Sequence, residues 1–189
     1  MKEVIRSEAL DRRLAMLPRE VQVKSDMIRD RLFMHPAFAQ AQTILFYVSY
    51  DNEVNTHQMI KDCLMAHRRI AVPCVNTQDN TLTLSLLRRW DDLVPAAYDI
   101  PEPKREYRMP IDIEDIDLCI IPGVAFDEAG HRLGHGMGFY DKLLRYPHQA
   151  VKIGLAFEVQ IVPAIPAEPH DIPLDMIMTE RRTIIPKKN

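Results

Sequence analysis

Unbroken apolar runs and a helical repeat follow one another in the first half of the chain. Residues 43–48 and 69–74 are continuous runs of apolar, β-favouring residues, typical of strands that are buried on both faces. Between them, Asn55 followed by Gln58 is a capping-box pattern, which predicts a helix extending to about Ala66. A strand, a helix and a strand within about thirty residues form a βαβ unit, so we expect these two strands to be parallel.

The residues before this unit show the periodicity of two helices. Within residues 1–35, apolar side chains recur at helical spacing and charged side chains occupy the opposite face. Pro18 suits the first turn of the second helix, because a proline there needs no N–H partner. Pro36 is expected to end that helix.

Further elements follow in the second half of the chain. Strict alternation over residues 81–86 predicts a half-exposed strand, and the apolar runs 117–122 and 152–157 predict two more buried strands. A helix is predicted over residues 139–145, and one or two terminal strands over residues 176–185.

Two proline-rich stretches, residues 91–115 and 158–175, are interpreted as long surface loops. No repeat or linker interrupts the pattern, so residues 1–189 are predicted to form one domain. The predicted fold is α/β: a single-domain layered fold with a mostly parallel central sheet flanked by helices. Ligands of such sheets gather beyond the carboxyl ends of the strands.

Composition narrows the choice of partners. Hydrophobic residues make up 47% and charged residues 27% of the chain, ordinary values for a globular protein in water. The net charge of -3 argues against nucleic acid or an anionic membrane as a partner.

The cysteines indicate a reducing compartment. Cys63, Cys74 and Cys119 are odd in number and match no zinc spacing, so we expect buried free thiols. The first residues lack the apolar core of a signal peptide. A cytoplasmic location is expected.

Glycine is concentrated in one stretch. Five of the six glycines lie between Gly123 and Gly138, and the last three alternate with other residues from Gly134 onward. Closely spaced glycines leave backbone amides uncovered and able to converge on an anion, with Arg132 and Asp141 at the edges as a cation and a possible metal ligand. The spacing matches neither the dinucleotide fingerprint nor the P-loop. A generic anion cradle and a structural turn both remain open at this point, and a zinc site at His131 and His135 is set aside because the glycines forbid the helix it would need.

Four segments carry a resemblance to a known family. They are Pro-Gly-Val-Ala-Phe-Asp at 122–127 with the glycine-rich stretch 130–141, the basic pair within 2–6, the segment 49–56, and His-Asp-Ile-Pro-Leu-Asp at 170–175. Together they resemble the 5-formyltetrahydrofolate cyclo-ligase (5,10-methenyltetrahydrofolate synthetase) family over nearly the whole chain. The resemblance implies an enzyme that uses ATP and Mg²⁺ to convert 5-formyltetrahydrofolate to 5,10-methenyltetrahydrofolate, releasing ADP and phosphate.

The resemblance also implies roles for individual residues. Arg132 is expected to be catalytic, steadying charge on the transferring phosphoryl group, although a plain salt bridge is the alternative for it. ATP is expected to contact the basic pair and the glycine-rich segment, namely Lys2, Arg6, Arg132, Leu133, Gly134, His135, Gly136, Met137, Gly138, Phe139 and Tyr140.

Folate and metal contacts are implied in the same way. Folate is expected to contact Val48, Glu53, His135, Gly136, Met137, Gly138 and Phe139. Asp141 and Asp171 are expected to hold Mg²⁺, with Asp175 as a neighbour of Asp171. An exposed loop acid is the alternative for Glu53, and a core position is the alternative for Phe139 and Tyr140.

Two residues depart from the family pattern. The family often has a lysine or glycine where Met137 stands and an aromatic residue or arginine where His135 stands. These departures leave two other functions open, a ligase for another N-formyl substrate and a non-catalytic folate- or nucleotide-binding regulator. A monomer or weak homodimer is expected.

Overall fold

The computed structural model describes residues 1–187. Within them, the α-helices are α1 (Lys2–Leu14), α2 (Pro18–Phe33), α3 (Pro36–Gln40), α4 (His57–Met65) and α5 (Phe139–Leu144). The strands of the first half are β1 (Thr43–Leu45), β2 (Arg69–Asn76), β3 (Thr81–Leu87), β4 (Leu93–Pro95), β5 (Pro101–Pro103) and β6 (Met109–Ile111). The later strands are β7 (Leu118–Ile121), β8 (Ala125–Asp127), β9 (Arg132–Leu133), β10 (Val151–Leu155), β11 (Ile161–Val162), β12 (Met176–Met178) and β13 (Thr183–Ile184).

The central sheet has the order β13-β12-β10-β7-β1-β2-β3-β6. Its five inner strands from β12 to β2 are parallel to one another, whereas β13 pairs antiparallel with β12, β3 with β2 and β6 with β3. The register of Ile44 with Ile70 confirms the predicted βαβ unit of β1, α4 and β2. The predicted α/β class with a mostly parallel sheet is therefore confirmed.

Alternate residues of the inner strands point to opposite faces of the sheet and build two cores. Ile44 and Ile120 belong to one core, which packs against α2, α3 and α4. Leu45 and Ile121 belong to the other, which includes Leu143 of α5. Because both faces are covered, the strands have no polar alternation, and this explains their continuous apolar runs.

A small sheet of β11, β8 and β9 packs against α1. Ala9 of α1 is fully buried against Ala125 and Leu133 of that sheet. This contact fixes the N-terminal helix beside the residues that follow β9.

Three predictions of local structure are wrong. Pro36 does not simply end α2, which stops at Phe33, but begins α3, where His35 Nδ1 accepts a hydrogen bond from the Ala37 N–H at 3.2 Å. The capping box at Asn55 is absent, since the side chain of Gln58 donates instead to Asp62 at 2.7 Å.

The third error concerns both proline-rich stretches: residues 158–175 contain β11, which pairs with β8, and the larger departure is the stretch 91–115. It contains β4, β5 and β6, and β6 joins the central sheet at its edge. Prolines at both ends of β5 made this stretch look irregular, but proline is tolerated at strand edges.

The glycine-rich stretch combines regular structure with an open loop. It contains the hairpin β8–β9, whose turn is closed by Asp127 Oδ1 accepting N–H groups of Ala129 and His131 at 3.0 and 2.9 Å. Only the part after Leu133 is an open loop.

The three cysteines are buried free thiols, as predicted. Over residues 1–187, none of the helices combines the length and apolar character that crossing a bilayer requires.

Candidate active site

A cavity of about 690 Å³ opens where the central parallel strands end. The segments that follow β1 and β7 line it, together with the end of β2. Every site residue predicted from the sequence lies in its wall: Lys2, Arg6, Val48, Glu53, Arg132, Leu133, Gly134, His135, Gly136, Met137, Gly138, Phe139, Tyr140, Asp141 and Asp171. The fold thus brings the four resembling segments to one place, while the ligand expected at each residue remains a prediction.

The wall between β9 and α5 follows a backbone path that requires glycine. Gly136 has a φ of +98° and Gly138 a φ of +67°, a range that residues with a side chain rarely adopt. A Cβ on Gly138 would meet open space, so conformation and not crowding requires glycine there. Met137 between them is half exposed and uncharged. Any charge that neutralises an anion here must come from neighbouring segments.

Arg132 supplies one such charge from a buried position. Its Nη2 atom lies 3.0 Å from Asp141 Oδ1, and its guanidinium lies 5.6 Å from the centre of the Tyr140 ring. Within residues 1–187 its Nε atom has no hydrogen-bond partner, and Asp141 is the acid that pairs with Nη2. Burial lowers the pKa of Arg132, and the charge of Asp141 opposes this shift. Buried donors without partners are costly, so they are well suited to receive the oxygens of an anionic ligand.

Helix α1 brings two more cations to this end of the cavity. Lys2 Nζ lies 2.9 Å from Asp171 Oδ2 and 3.1 Å from Glu168 Oε1. Burial opposes the charge of Lys2, but the bonds to Asp171 and Glu168 outweigh it and raise the pKa of this lysine. Arg6 Nε donates to the carbonyl of Gly134 at 2.9 Å. The first helix is therefore fastened directly to the glycine segment.

The acids at the same end could hold a divalent cation. Asp141 Oδ1 accepts the N–H of Ile172 at 3.2 Å, which ties α5 to the segment carrying Asp171. Ligand atoms of Glu168, His170 and Asp171 lie within 4.8 Å of one another. Carboxylate oxygens are hard donors of the kind Mg²⁺ prefers, so this donor set fits that ion.

Asp175 does not take the place expected for it beside Asp171. It does not line the cavity; instead its Oδ2 accepts the N–H of Lys152 at 2.9 Å and pairs with the Lys152 ammonium at 2.8 Å. Its role is to hold the segment before β12 against β10.

The other end of the cavity is apolar and contains a buried acid. Glu53 is only 6% exposed, so the alternative of an exposed loop acid is wrong. Its Oε2 accepts the N–H of Tyr50 at 3.3 Å. Burial raises the pKa of Glu53 to about 7, while Arg13 and the Tyr50 N–H oppose that rise. Val48 lies beside it, almost fully buried.

A polar contact joins the glycine segment to this apolar end. The Tyr50 hydroxyl and His135 Nε2 are 3.0 Å apart. Burial lowers the pKa of His135, and the charges of Arg13 and Arg6 lower it further. The imidazole is therefore neutral at pH 7 and either donates to or accepts from the tyrosine.

The two aromatic residues at the start of α5 differ. The Phe139 ring meets Tyr98 edge-on at 6.3 Å across the cavity, so it is free to contact a planar ligand. Tyr140 lines the cavity but also packs against both cores, and burial raises the pKa of its hydroxyl. The alternative of a core position thus holds in part for Tyr140.

The sequence profile of the 5-formyltetrahydrofolate cyclo-ligase family matches residues 1–180. The chain belongs to that family. The predicted resemblance is confirmed, and with it the prediction of an enzyme, since the family is one of ligases.

Relatives of this cyclo-ligase family cover most of the chain. The 5-formyltetrahydrofolate cyclo-ligase of Escherichia coli (strain K12) is 33% identical over 172 residues, which cover 89% of this chain and 94% of the relative. That of Mus musculus is 30% identical, with 95% of this chain and 93% of the relative covered. The solved structure of Aquifex aeolicus 5,10-methenyltetrahydrofolate synthetase superposes with a TM-score of 0.87 at 28% identity, covering 100% of this chain and 94% of that chain.

Sequence reasoning missed part of the wall of this cyclo-ligase cavity. The missed residues are Tyr47, Tyr50, Pro73, Val75, Leu82, Tyr98, Ile100, Glu102, Pro122, Gly123, Lys142, Arg145, Glu168 and His170. Val75 could have been found, because it directly follows the predicted parallel strand 69–74 and strand ends were expected to face the ligand. Glu102 had no such signal: it lies in the stretch mistaken for a surface loop, yet it is 2% exposed.

Proposed function

We propose that this protein converts 5-formyltetrahydrofolate to 5,10-methenyltetrahydrofolate in this cavity, with ATP as co-substrate and ADP and phosphate as further products. One observation carries the proposal: a cation-rich end and an apolar end with a buried acid meet at the same short glycine segment. A triphosphate suits the first end and a pterin suits the second. The reacting groups of both would then meet at residues 134–138.

The chemistry explains why the site has no obvious nucleophile and base. The formamide oxygen of the substrate is a poor leaving group. Transfer of the γ-phosphoryl group breaks its bond to ADP and forms a phosphorus–oxygen bond at the formyl oxygen. The N10 lone pair then attacks the activated carbon, the carbon–oxygen bond breaks with release of phosphate, and N10 loses its proton. Alignment and charge neutralisation are the main tasks left to the protein.

We assign charge neutralisation to the cations that line the cavity. We assign Arg132 to the transferring phosphoryl group, because its buried guanidinium has an Nε donor without a partner within the described residues and a planar fork that can grip two oxygens. Lys2 and Arg6 are assigned to the other phosphates from α1. On ATP binding, Lys2 would exchange its bonds to Asp171 and Glu168 for phosphate oxygens.

Asp141 and Asp171 are assigned to Mg²⁺, which would neutralise charge on the phosphates and orient them. Both acids are paired with cations, Arg132 and Lys2, and those cations would turn to the phosphates. The same four side chains then serve one triphosphate, with each charge still balanced.

Glu53 is assigned to the pterin, whose amino and ring N–H groups can form a bidentate pair with a carboxylate. Val48 and Phe139 provide apolar contact to the ring system, and His135 and Gly136 face the formyl end. We also infer a cytoplasmic location, which the three free thiols support.

Turnover provides the test. Purified protein, 5-formyltetrahydrofolate, Mg²⁺ and ATP are mixed, and the absorbance of the methenyl product is followed together with release of phosphate. We expect one phosphate for each methenyl product. Binding of both substrates without product would favour a non-catalytic regulator, and ATP hydrolysis that depends on another formyl compound would favour a ligase for a different N-formyl substrate.

Two variants test the assigned roles. Arg132→Lys and Asp141→Asn are each expected to lower kcat by at least about 100-fold, since preorganised charge at the reacting atoms contributes several kcal/mol. Asp11→Asn, an exposed change of the same kind on α1, is the matched control for the second. Full activity of either site variant with an unchanged circular dichroism spectrum would remove its assignment.

A further inference from the structure

Helix α1 has its first turns in the cavity wall and its last turn against the segment that carries Asn52. Lys2 and Arg6 lie at the cation-rich end of the cavity, and Arg13 lies in the last turn of α1. At 1.5 Å per residue, the eleven steps from Lys2 to Arg13 span roughly 16 Å. Arg13 is not part of the cavity wall, and none of the roles assigned above uses it.

Arg13 is an unusual residue for the end of a surface helix. It is 1% exposed, although arginine is rarely buried without a charged partner. Its Nε donates to Asn52 Oδ1 at 3.1 Å, and the Asn52 amide donates back to the Arg13 carbonyl. Within residues 1–187 its Nη1 has no hydrogen-bond partner, and no carboxylate lies within ion-pair distance of it. The guanidinium is therefore held by Asn52 with no acid paired to it in the described part of the chain.

The next residue in the segment that carries Asn52 is Glu53, a buried acid that, within residues 1–187, has no cation paired with it. Its carboxylate has one hydrogen bond, from the Tyr50 N–H, and no ion pair within the described chain. A buried carboxylate without a partner is costly, and a nearby buried cation without one offsets that cost at longer range.

We propose that Arg13 is a positioning residue for the folate end of the cavity: held by Asn52, its cation keeps the neighbouring Glu53 carboxylate charged and oriented toward the N–H groups of the bound pterin. This inference rests on the proposed function, which places the pterin at Glu53.

The other groups around Glu53 do not supply a positive charge. They are Asp51 and Tyr50 from its own segment, Tyr47 after β1, and Tyr140 from α5. Burial raises the pKa of Glu53, the charge of Asp51 adds to the rise, and Arg13 is the cation that opposes it. The same charge also acts on Tyr50 and His135, the pair that links the folate end to the glycine segment.

The test compares steady-state kinetics of four variants: Arg13→Gln, which keeps a side-chain donor for Asn52 but removes the charge; Arg13→Lys, which keeps the charge; Glu53→Gln; and Arg13→Gln with Glu53→Gln. Arg12→Gln is the matched control, because it removes an exposed arginine from the same helical turn.

We expect Arg13→Gln to raise the KM for 5-formyltetrahydrofolate by about 5–10-fold at pH 7, with kcat and the KM for ATP within twofold of the parent. The acid limb of kcat/KM for folate should move up by about one pH unit, so the defect should shrink at pH 9. Arg13→Lys should restore most of the loss. In the Glu53→Gln background, Arg13→Gln should have no further effect.

Other outcomes separate the placement of the pterin at Glu53 from the positioning role of Arg13. If Glu53→Gln leaves the folate KM unchanged, the placement of the pterin is wrong, whatever Arg13 does. If Glu53→Gln raises the folate KM but Arg13→Gln acts independently of it, or moves no pH limb, Arg13 is only structural and the inference is overturned. If Arg13→Gln does not fold, Asn52→Ala replaces it in the double-mutant cycle. Asn52→Ala releases the Arg13 guanidinium but leaves its charge in place. The effect of Asn52→Ala on the folate KM must also vanish in the Glu53→Gln background.

Discussion

Replacing Glu53 with glutamine should make this protein more stable while weakening its activity. The substitution keeps the size of the side chain and an acceptor for the Tyr50 N–H, but it removes a charge that is buried in the cavity wall. A residue kept for binding at the expense of stability is a common feature of functional sites.

The size of the effect follows from the pKa. Burial raises the pKa of Glu53 from 4.5 to about 7, so the folded protein holds this proton more tightly than the unfolded chain does. The charged form therefore destabilises the folded state in full above pH 7, by about 3 kcal/mol at 1.36 kcal/mol per pH unit. The penalty falls below about 1 kcal/mol at pH 5 and vanishes below pH 4.5, where both states are protonated.

Urea unfolding of the two proteins at pH 8 and pH 5, followed by circular dichroism, measures this difference. We expect Glu53→Gln to raise the free energy of unfolding by about 3 kcal/mol at pH 8, or the melting temperature by roughly 6–12 °C, and by less than about 1 kcal/mol at pH 5. Glu102→Gln is the control: Glu102 is equally buried in the same wall, but it is paired with Arg108 at 2.8 Å, so its loss should destabilise. A Glu53→Gln protein that is no more stable at pH 8 would refute the reasoning.

Three further predictions address other parts of the molecule. Gly136→Ala should lower the free energy of unfolding by about 1–3 kcal/mol, because φ is +98° at this position. Gly134→Ala should be nearly neutral, since a Cβ there would meet nothing closer than 3.6 Å. Equal losses for the two variants in urea unfolding would contradict this prediction. His135→Phe and Tyr50→Phe should each raise the KM for folate, because each removes the 3.0 Å contact between these side chains. The double variant should be no worse than either single variant, since all three lack the same contact. Additive effects on KM would show that the contact is unimportant. Burial raises the pKa of Cys119 to about 12, so a thiol reagent at pH 8 should label it only after unfolding, and rapid labelling of the native protein would be evidence against its burial.

The sheet was predictable because its strands are buried on both faces. Continuous apolar runs such as residues 69–74 leave few alternatives, and a helix between two of them implies a parallel pair. The place of the glycine segment in the cavity wall was predictable, because closely spaced glycines follow a buried strand and are bracketed by Arg132 and Asp141. These signals are local in sequence, so a single chain is enough to read them.

Glu102 and Arg13 were not predictable, because their positions depend on contacts between distant parts of the chain. Glu102 is buried where its carboxylate accepts the N–H of Val75, 27 residues away, at 2.8 Å and pairs with Arg108. Arg13 looks like any other charge on a helix until the fold places Asn52 against it, 39 residues away. A charged residue in a loop or helix is usually exposed, and the sequence contains nothing that marks these two as exceptions.

The position of α1 gives a physical reason why binding of ATP should strengthen binding of folate. Its N-terminal turns hold Lys2 against Asp171 and Arg6 against the Gly134 carbonyl, while its last turn holds Arg13 against Asn52. A helix is stiff over this length, and Ala9 in its middle is fully buried against the small sheet. A triphosphate that fixes the first turns would therefore also reduce the motion of Arg13, and with it that of the Glu53 carboxylate. On this argument ATP should tighten the binding of folate through α1 as well as through the reacting groups, and the part carried by α1 should disappear when Arg13 no longer reaches Asn52.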